Sequence, residues 1–120
     1  MTDTDRALTI TQQDHATGIV VLSVTGELDH HTGPCLEQAL LHVAFDARTG
    51  VVLDLSGLDY CDSTGLTLII KAHHRAEAAQ CPFVVAGPNG DLTRVFEVTG
   101  LDQFLTVRAD TGQAVAALGG

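Results

Sequence analysis

Ser63 stands in the run Asp62-Ser63-Thr64-Gly65, whose residue types and spacing permit two kinds of chemistry. A serine hydroxyl among small residues can be a nucleophile, and Ser63-Thr64-Gly65 reproduces the tail of the G-x-S-x-G elbow of serine hydrolases. Against this, Cys61 replaces the first glycine, and Ser56 to Asp62 reads as a loop, too long for a sharp elbow. The histidines and Asp102 are available as triad partners, but no spacing brings any of them to Ser63. The plainer chemistry is that of a helix start. Ser63 then serves as N-cap, accepting from a free N–H of the first turn, and Gly65 either avoids a clash or lets another chain approach the backbone closely.

The remaining reactive side chains form no matching set. His30-His31 and His73-His74 are adjacent pairs, and neighbours on a helix face different ways. His31 and Cys35 are four apart but lack a second half-site, so neither metal nor cofactor is expected. His73 is expected on the inward edge of its helix and the other histidines in solvent. Cys61 lies near a helix N-terminus, which lowers a thiol pKa, yet a small buried residue is the plainer reading for it and for Cys35 and Cys81. An odd cysteine count without a paired framework suits a reducing, cytoplasmic setting.

These residues need elements to position them. Leu8 to Thr11 alternates apolar and polar, and Ile19 to Val24 is β-branched with Val20, Leu22 and Val24 on one face. Polar residues and Gly18 between the runs predict an antiparallel hairpin. Leu36, Ala39, Leu40, Val43, Ala44 and Ala47 fall on one helical stripe, with Pro34 near its start and Gly50 expected as a left-handed cap. Val51 to Leu55 follows as a covered strand. A second helix runs from about Ser63 to Ala79, with Leu66, Ile69, Ile70, His73 and Ala76 inward.

Phe83 to Ala86 is the next strand. Gly87-Pro88-Asn89-Gly90 is a turn without Lys or Walker spacing, placed near the Ser63 end of the sheet. Leu92, Val95 and Phe96 mark a short helix ending at Gly100. Phe104 to Val107 is a final strand, and Ala114, Val115 and Leu118 a final helix. Strand and helix alternation after a hairpin predicts an α/β domain: a mixed, mostly parallel sheet of four to five strands packed by about four helices. One domain spans residues 1–120, ordered from about 7 to 118, with loose ends in the first six or so residues and at Gly119-Gly120.

Fifteen acids against six bases give a net charge of −9 in 120 residues, and aromatics are only 4%. Nucleic acid needs a basic patch and often stacking rings, so direct binding to it is not expected. No apolar run approaches the ~20 residues of a membrane helix. A basic surface on a partner protein fits the charge better.

From Gly26 to Leu101 the sequence resembles the STAS domain family, in its compact bacterial anti-sigma-factor-antagonist branch. Gly26-Glu27-Leu28-Asp29 with Thr32 resembles the family's GxLDxxT segment. Val51 to Leu55, Asp59-Tyr60 and Asp62-Ser63-Thr64-Gly65-Leu66 resemble its strand followed by D-S-[ST]-G-[LI], and Arg94-Val95-Phe96 with Thr99-Gly100-Leu101 its later helix and T-G-L ending. The resemblance implies a binding module with no catalysis. Ser63 would be its phosphoacceptor. Asp29, Asp62, Ser63, Thr64, Gly65 and Leu66 would form its partner surface.

The implied partners are an anti-sigma factor with serine kinase activity, bound when Ser63 is unmodified so that a sigma factor is released, and a serine phosphatase that reverses phosphorylation. A phosphate at the helix start is expected to be tolerated, because the dipole and free N–H groups favour an anion. The alternative is a STAS interaction or ligand-sensing module in another bacterial signalling pathway. Related modules in stress-signalling assemblies and anion transporters are disfavoured by the compact length and the lack of apolar spans.

Overall fold

The structure is a computed structural model that describes residues 8–15 and 18–118. The loose ends expected at residues 1–6 and 119–120 lie outside them, as do Ala16 and Thr17 of the first turn. Strand β1 (Leu8–Asp14) pairs antiparallel with β2 (Ile19–Leu28), from Leu8 opposite Gly26 to Asp14 opposite Val20. The predicted hairpin is present and longer than its apolar runs. Strands β3 (Gly50–Cys61), β4 (Phe83–Ala86) and β5 (Val107–Arg108) add in parallel, in the order β1-β2-β3-β4-β5. The mixed α/β sheet read from the sequence is thus five-stranded.

Helices α1 (Gly33–Leu41), α2 (Ser63–Ala78) and α3 (Gly90–Thr99) contribute to the core on one face of the sheet. There Leu22, Val24, Leu28, Val51, Leu53 and Leu55 meet Leu36, Ile69 and Phe96, all 1% exposed or less. Full burial of one such aliphatic side chain stabilises by about 1.5–3 kcal/mol. Helix α4 (Thr111–Ala117) covers the other face, where Ala114 packs with Ile19, Val21, Val52, Val84 and Ala86. The single apolar face predicted for the second strand was therefore incomplete, since α4 makes Ile19 and Val21 core residues too.

Four local features differ from expectation. Helix α1 stops at Leu41 instead of continuing to Ala47. The Asp46 carboxylate accepts from the N–H groups of Arg48 (2.8 Å) and Thr49 (3.1 Å), which folds the chain into a turn, and Ala44 and Ala47 face solvent. Phe45 instead packs toward Phe83, with the Arg75 guanidinium 4.6 Å from its ring centre. Gly50 opens β3 and is not a left-handed cap. The final strand begins later than predicted, at Val107 instead of Phe104: Leu101–Gln103 is a 3-10 turn and Phe104 lies outside, stacked on His73 at 5.5 Å.

The fourth difference shapes the site. Ser56 to Asp62 is not a loop, because β3 continues beside β2 to Cys61. Two register shifts, between Ser23 and Thr25 and between Gly26 and Glu27, place extra residues in β3. Each such bulge reverses the in-out alternation. Leu53 and Leu55 face the main core, Leu58 returns to it after one bulge, and Cys61 packs against it after the next. Gly26 sits at the second shift with φ +109°, a conformation that disfavours any side chain.

Candidate functional site

The turn from β3 into α2 assigns the helix cap to Asp62, not to Ser63. The Asp62 carboxylate accepts from the N–H groups of Thr64 (2.9 Å) and Gly65 (3.2 Å), and its backbone is extended at φ −94°, ψ −170°. A carboxylate there satisfies two donors that the helix itself cannot, and it complements the dipole. Ser63 is the first helical residue. Its side chain is exposed, and its hydroxyl makes no hydrogen bond among the described residues.

The Asp29 segment is built against this turn. The Asp62 N–H donates to the Leu28 carbonyl at 3.1 Å. Beyond Leu28 the chain folds on itself: Asp29 Oδ1 accepts from the N–H groups of His31 (2.9 Å) and Thr32 (3.1 Å). Thr32, 2% exposed, accepts from the Asp29 N–H (3.0 Å) and donates to the Glu27 carbonyl (2.8 Å). The Thr32 N–H holds the Asp29 carboxyl below its ordinary range, and the His31 N–H and Thr32 hydroxyl act the same way against partial desolvation. Thr64 meets the start of α1, where a Cβ on Gly33 would come within 3.1 Å of its Cγ2. Two segments far apart in sequence thus share one end of the sheet.

Not every candidate residue faces outward. Gly65 is buried, and a Cβ there would lie 2.5 Å from Cys61 Sγ and 2.8 Å from Leu28. Its missing side chain seats α2 on the sheet, so the close approach belongs to this chain's own residues and not to another chain. Leu66 is half-buried against the core. The inward stripe of α2 is Gly65, Leu68, Ile69, Ala72 and Ala76, turned from the expected one so that Leu66, Ile70 and His73 lie at its margin. The outward residues are Ser63 and, in part, Asp29, Asp62 and Thr64.

The length of the loop is not what excludes a hydrolase elbow. The strand-to-helix turn is sharp, with only Asp62 between β3 and α2. Ser63, however, has an ordinary negative φ, since Gln80 is the one non-glycine at positive φ among the described residues, and no histidine bonds its hydroxyl. The nucleophile of an elbow sits on a strained turn beside its base.

Burial raises the Cys61 thiol to about 11, with the Asp62 charge adding to the effect. Cys81 is buried, whereas Cys35 is exposed, contrary to expectation. Among the described residues no group of three His, Cys, Asp or Glu side chains is placed to hold a metal. No helix among them is long and apolar enough to cross a membrane.

Asn89 ties the turn before α3 to this end of the sheet. It caps α3 by accepting from the Leu92 N–H (2.8 Å) and donates to the Leu58 carbonyl (3.1 Å). Tyr60 is 53% exposed at this end of the sheet.

The profile of the family described as "Mlab, STAS domain" matches residues 11–107. The chain is 31% identical over 108 residues to an anti-sigma-B factor antagonist of Listeria monocytogenes, covering 88% of this chain and 93% of that protein. It is 35% identical over 98 residues to the anti-sigma-F factor antagonist RsfB of Mycobacterium tuberculosis, covering 81% and 78%. The crystal structure of an anti-sigma factor antagonist from Mycobacterium paratuberculosis superposes with a TM-score of 0.84 at 30% identity, covering 93% of this chain and 94% of that one.

Proposed function

This chain belongs to the STAS domain family, in the group of anti-sigma-factor antagonists, and from that premise we propose that it binds an anti-sigma factor through the surface around Ser63 and is dismissed when Ser63 is phosphorylated. It is a binding regulator and not an enzyme. The partner is an anti-sigma factor that is also a serine kinase, and its capture releases a sigma factor. A serine phosphatase returns the chain to its binding state. Asp29, Asp62 and Thr64 surround Ser63 in the contact zone, while Gly65 and Leu66 hold the helix in place behind it.

One observation carries this reading: Asp62 takes the cap, so the Ser63 hydroxyl stands exposed and uncommitted at the first helical position. Phosphorylation adds about −1.5 to −2 charges. The N–H groups of Thr64 and Gly65 already serve Asp62, so the phosphate finds the helix end largely occupied and its charge projects toward the partner. Where that charge meets an acidic group of the partner, one like-charge contact at ~4 Å, with an effective dielectric of about 20, costs roughly 4 kcal/mol. That is on the order of a thousandfold in affinity, without any refolding.

The test is to incubate the chain with its anti-sigma partner and ATP, then locate the phosphate by mass analysis. Phosphate on the Ser63 peptide is expected. Phosphate confined to another residue would overturn the site assignment.

A further inference from the structure

Between the end of β3 and the start of α3 lies a cavity of about 210 Å³, beginning two residues before Ser63. Leu58, Leu92 and Val95 give it an apolar floor, the acidic residues Asp59 and Asp91 belong to its lining, and Tyr60 stands exposed at its wall. Neither carboxylate has a side-chain hydrogen bond or ion-pair partner among the described residues, where the ion pairs involve only His73, His74 and Glu77. The cavity is fixed in place, because Asn89 links α3 to the Leu58 carbonyl.

We propose that this cavity receives an arginine side chain of the anti-sigma partner, an inference that rests on the docking function given above. The floor suits an aliphatic stem, and the acids suit a cation that brings its own charge to a chain of net charge −9. Arginine fits better than lysine. Its planar guanidinium lies flat on a tyrosine ring and spreads five donors toward more than one carboxylate, whereas an ammonium is a compact, strongly hydrated point charge. An arginine held here sits beside the turn that carries Ser63 and fixes how the partner meets that hydroxyl.

The cavity is tested first without the partner. The isotopically labelled chain is titrated with N-acetyl-arginine methylamide, its citrulline analogue and its lysine analogue, and amide shifts are followed by NMR. Saturable shifts at Tyr60, Asn89 and Val95 are expected with arginine, weaker ones with lysine and none with the neutral citrulline. Equal shifts with citrulline, or shifts scattered away from the cavity, overturn the proposal.

The double variant Asp59→Asn/Asp91→Asn should abolish the arginine shifts. It should also weaken binding to the anti-sigma partner at least tenfold and flatten its salt dependence. Thermal melting shows whether the variant is folded, and Tyr60→Ala provides the same comparison if the start of α3 is disturbed. Full-strength partner binding by a folded double variant sinks the arginine assignment and leaves the docking function standing. Failure of the unmodified parent chain to bind any anti-sigma factor sinks the docking function, and the arginine titration then decides the cavity by itself.

Discussion

Asp62 and Ser63 divide the start of α2 between them: the Asp62 carboxylate holds the N–H groups of Thr64 and Gly65, and the Ser63 hydroxyl is left to solvent. Had Ser63 been the cap, its oxygen would be engaged with its own helix, and a kinase would have to break that bond to reach it. In the proposed function, a neighbouring carboxylate thus separates the structural task from the regulatory one.

Asp62→Ala is accordingly expected to destabilise the fold. Loss of an N-cap side chain costs about 0.5–2 kcal/mol. Ser63→Ala should change stability far less, because its hydroxyl holds nothing in place. Denaturant unfolding of the two variants checks this ordering, and a Ser63→Ala loss as large as that of Asp62→Ala would return the cap to Ser63.

The Asp29 turn should respond to acid. Its carboxyl is held below the ordinary carboxylate pKa, so the turn's contribution to stability is fully present above the unfolded value of about 3.9 and is lost as pH falls through the lower folded value. The Asp29 carboxyl carbon resonance should therefore show its titration midpoint below the ordinary carboxylate value, and the Thr32 amide, which donates to this carboxylate, should move with it. A midpoint at or above the ordinary value would contradict the bonding described.

Cysteine reactivity should follow burial. With its pKa raised to about 11, Cys61 carries roughly one thiolate per thousand at pH 8, and Cys81 is buried, while Cys35 is exposed. Alkylation at pH 8 followed by peptide mapping should label Cys35 well before the other two. Rapid labelling of Cys61 would mean that the turn opens more readily than its packing against Gly65 implies.

Much of the architecture was legible in the chain. Phe83–Ala86, the Ser63 start of α2 and the Gly100 end of α3 follow from short apolar runs, helical spacing and glycine punctuation. The bulged half of β3 was hidden, because two shifts of alternation make Ser56 to Cys61 look patternless, although Gly26 and Gly57 hint at irregular pairing. Helix α1 was drawn too long because Ala44 and Ala47 fit a helical stripe without needing burial, while the Asp46 turn is a local side-chain competition that spacing does not register. At the site, the residue types were readable and their division of labour was not. Ser63 and Asp62 are both good caps, and only the backbone geometry decides between them.

In the proposed function, negative charge on the Ser63 oxygen expels the anti-sigma partner. The most direct test is calorimetric titration of that partner with three forms of the chain: unmodified, phosphorylated at Ser63, and Ser63→Ala. The unmodified and alanine forms should bind within a few-fold of each other, and the phosphorylated form on the order of a thousandfold more weakly. A phosphorylated chain that binds as tightly as the unmodified one would contradict the proposed function.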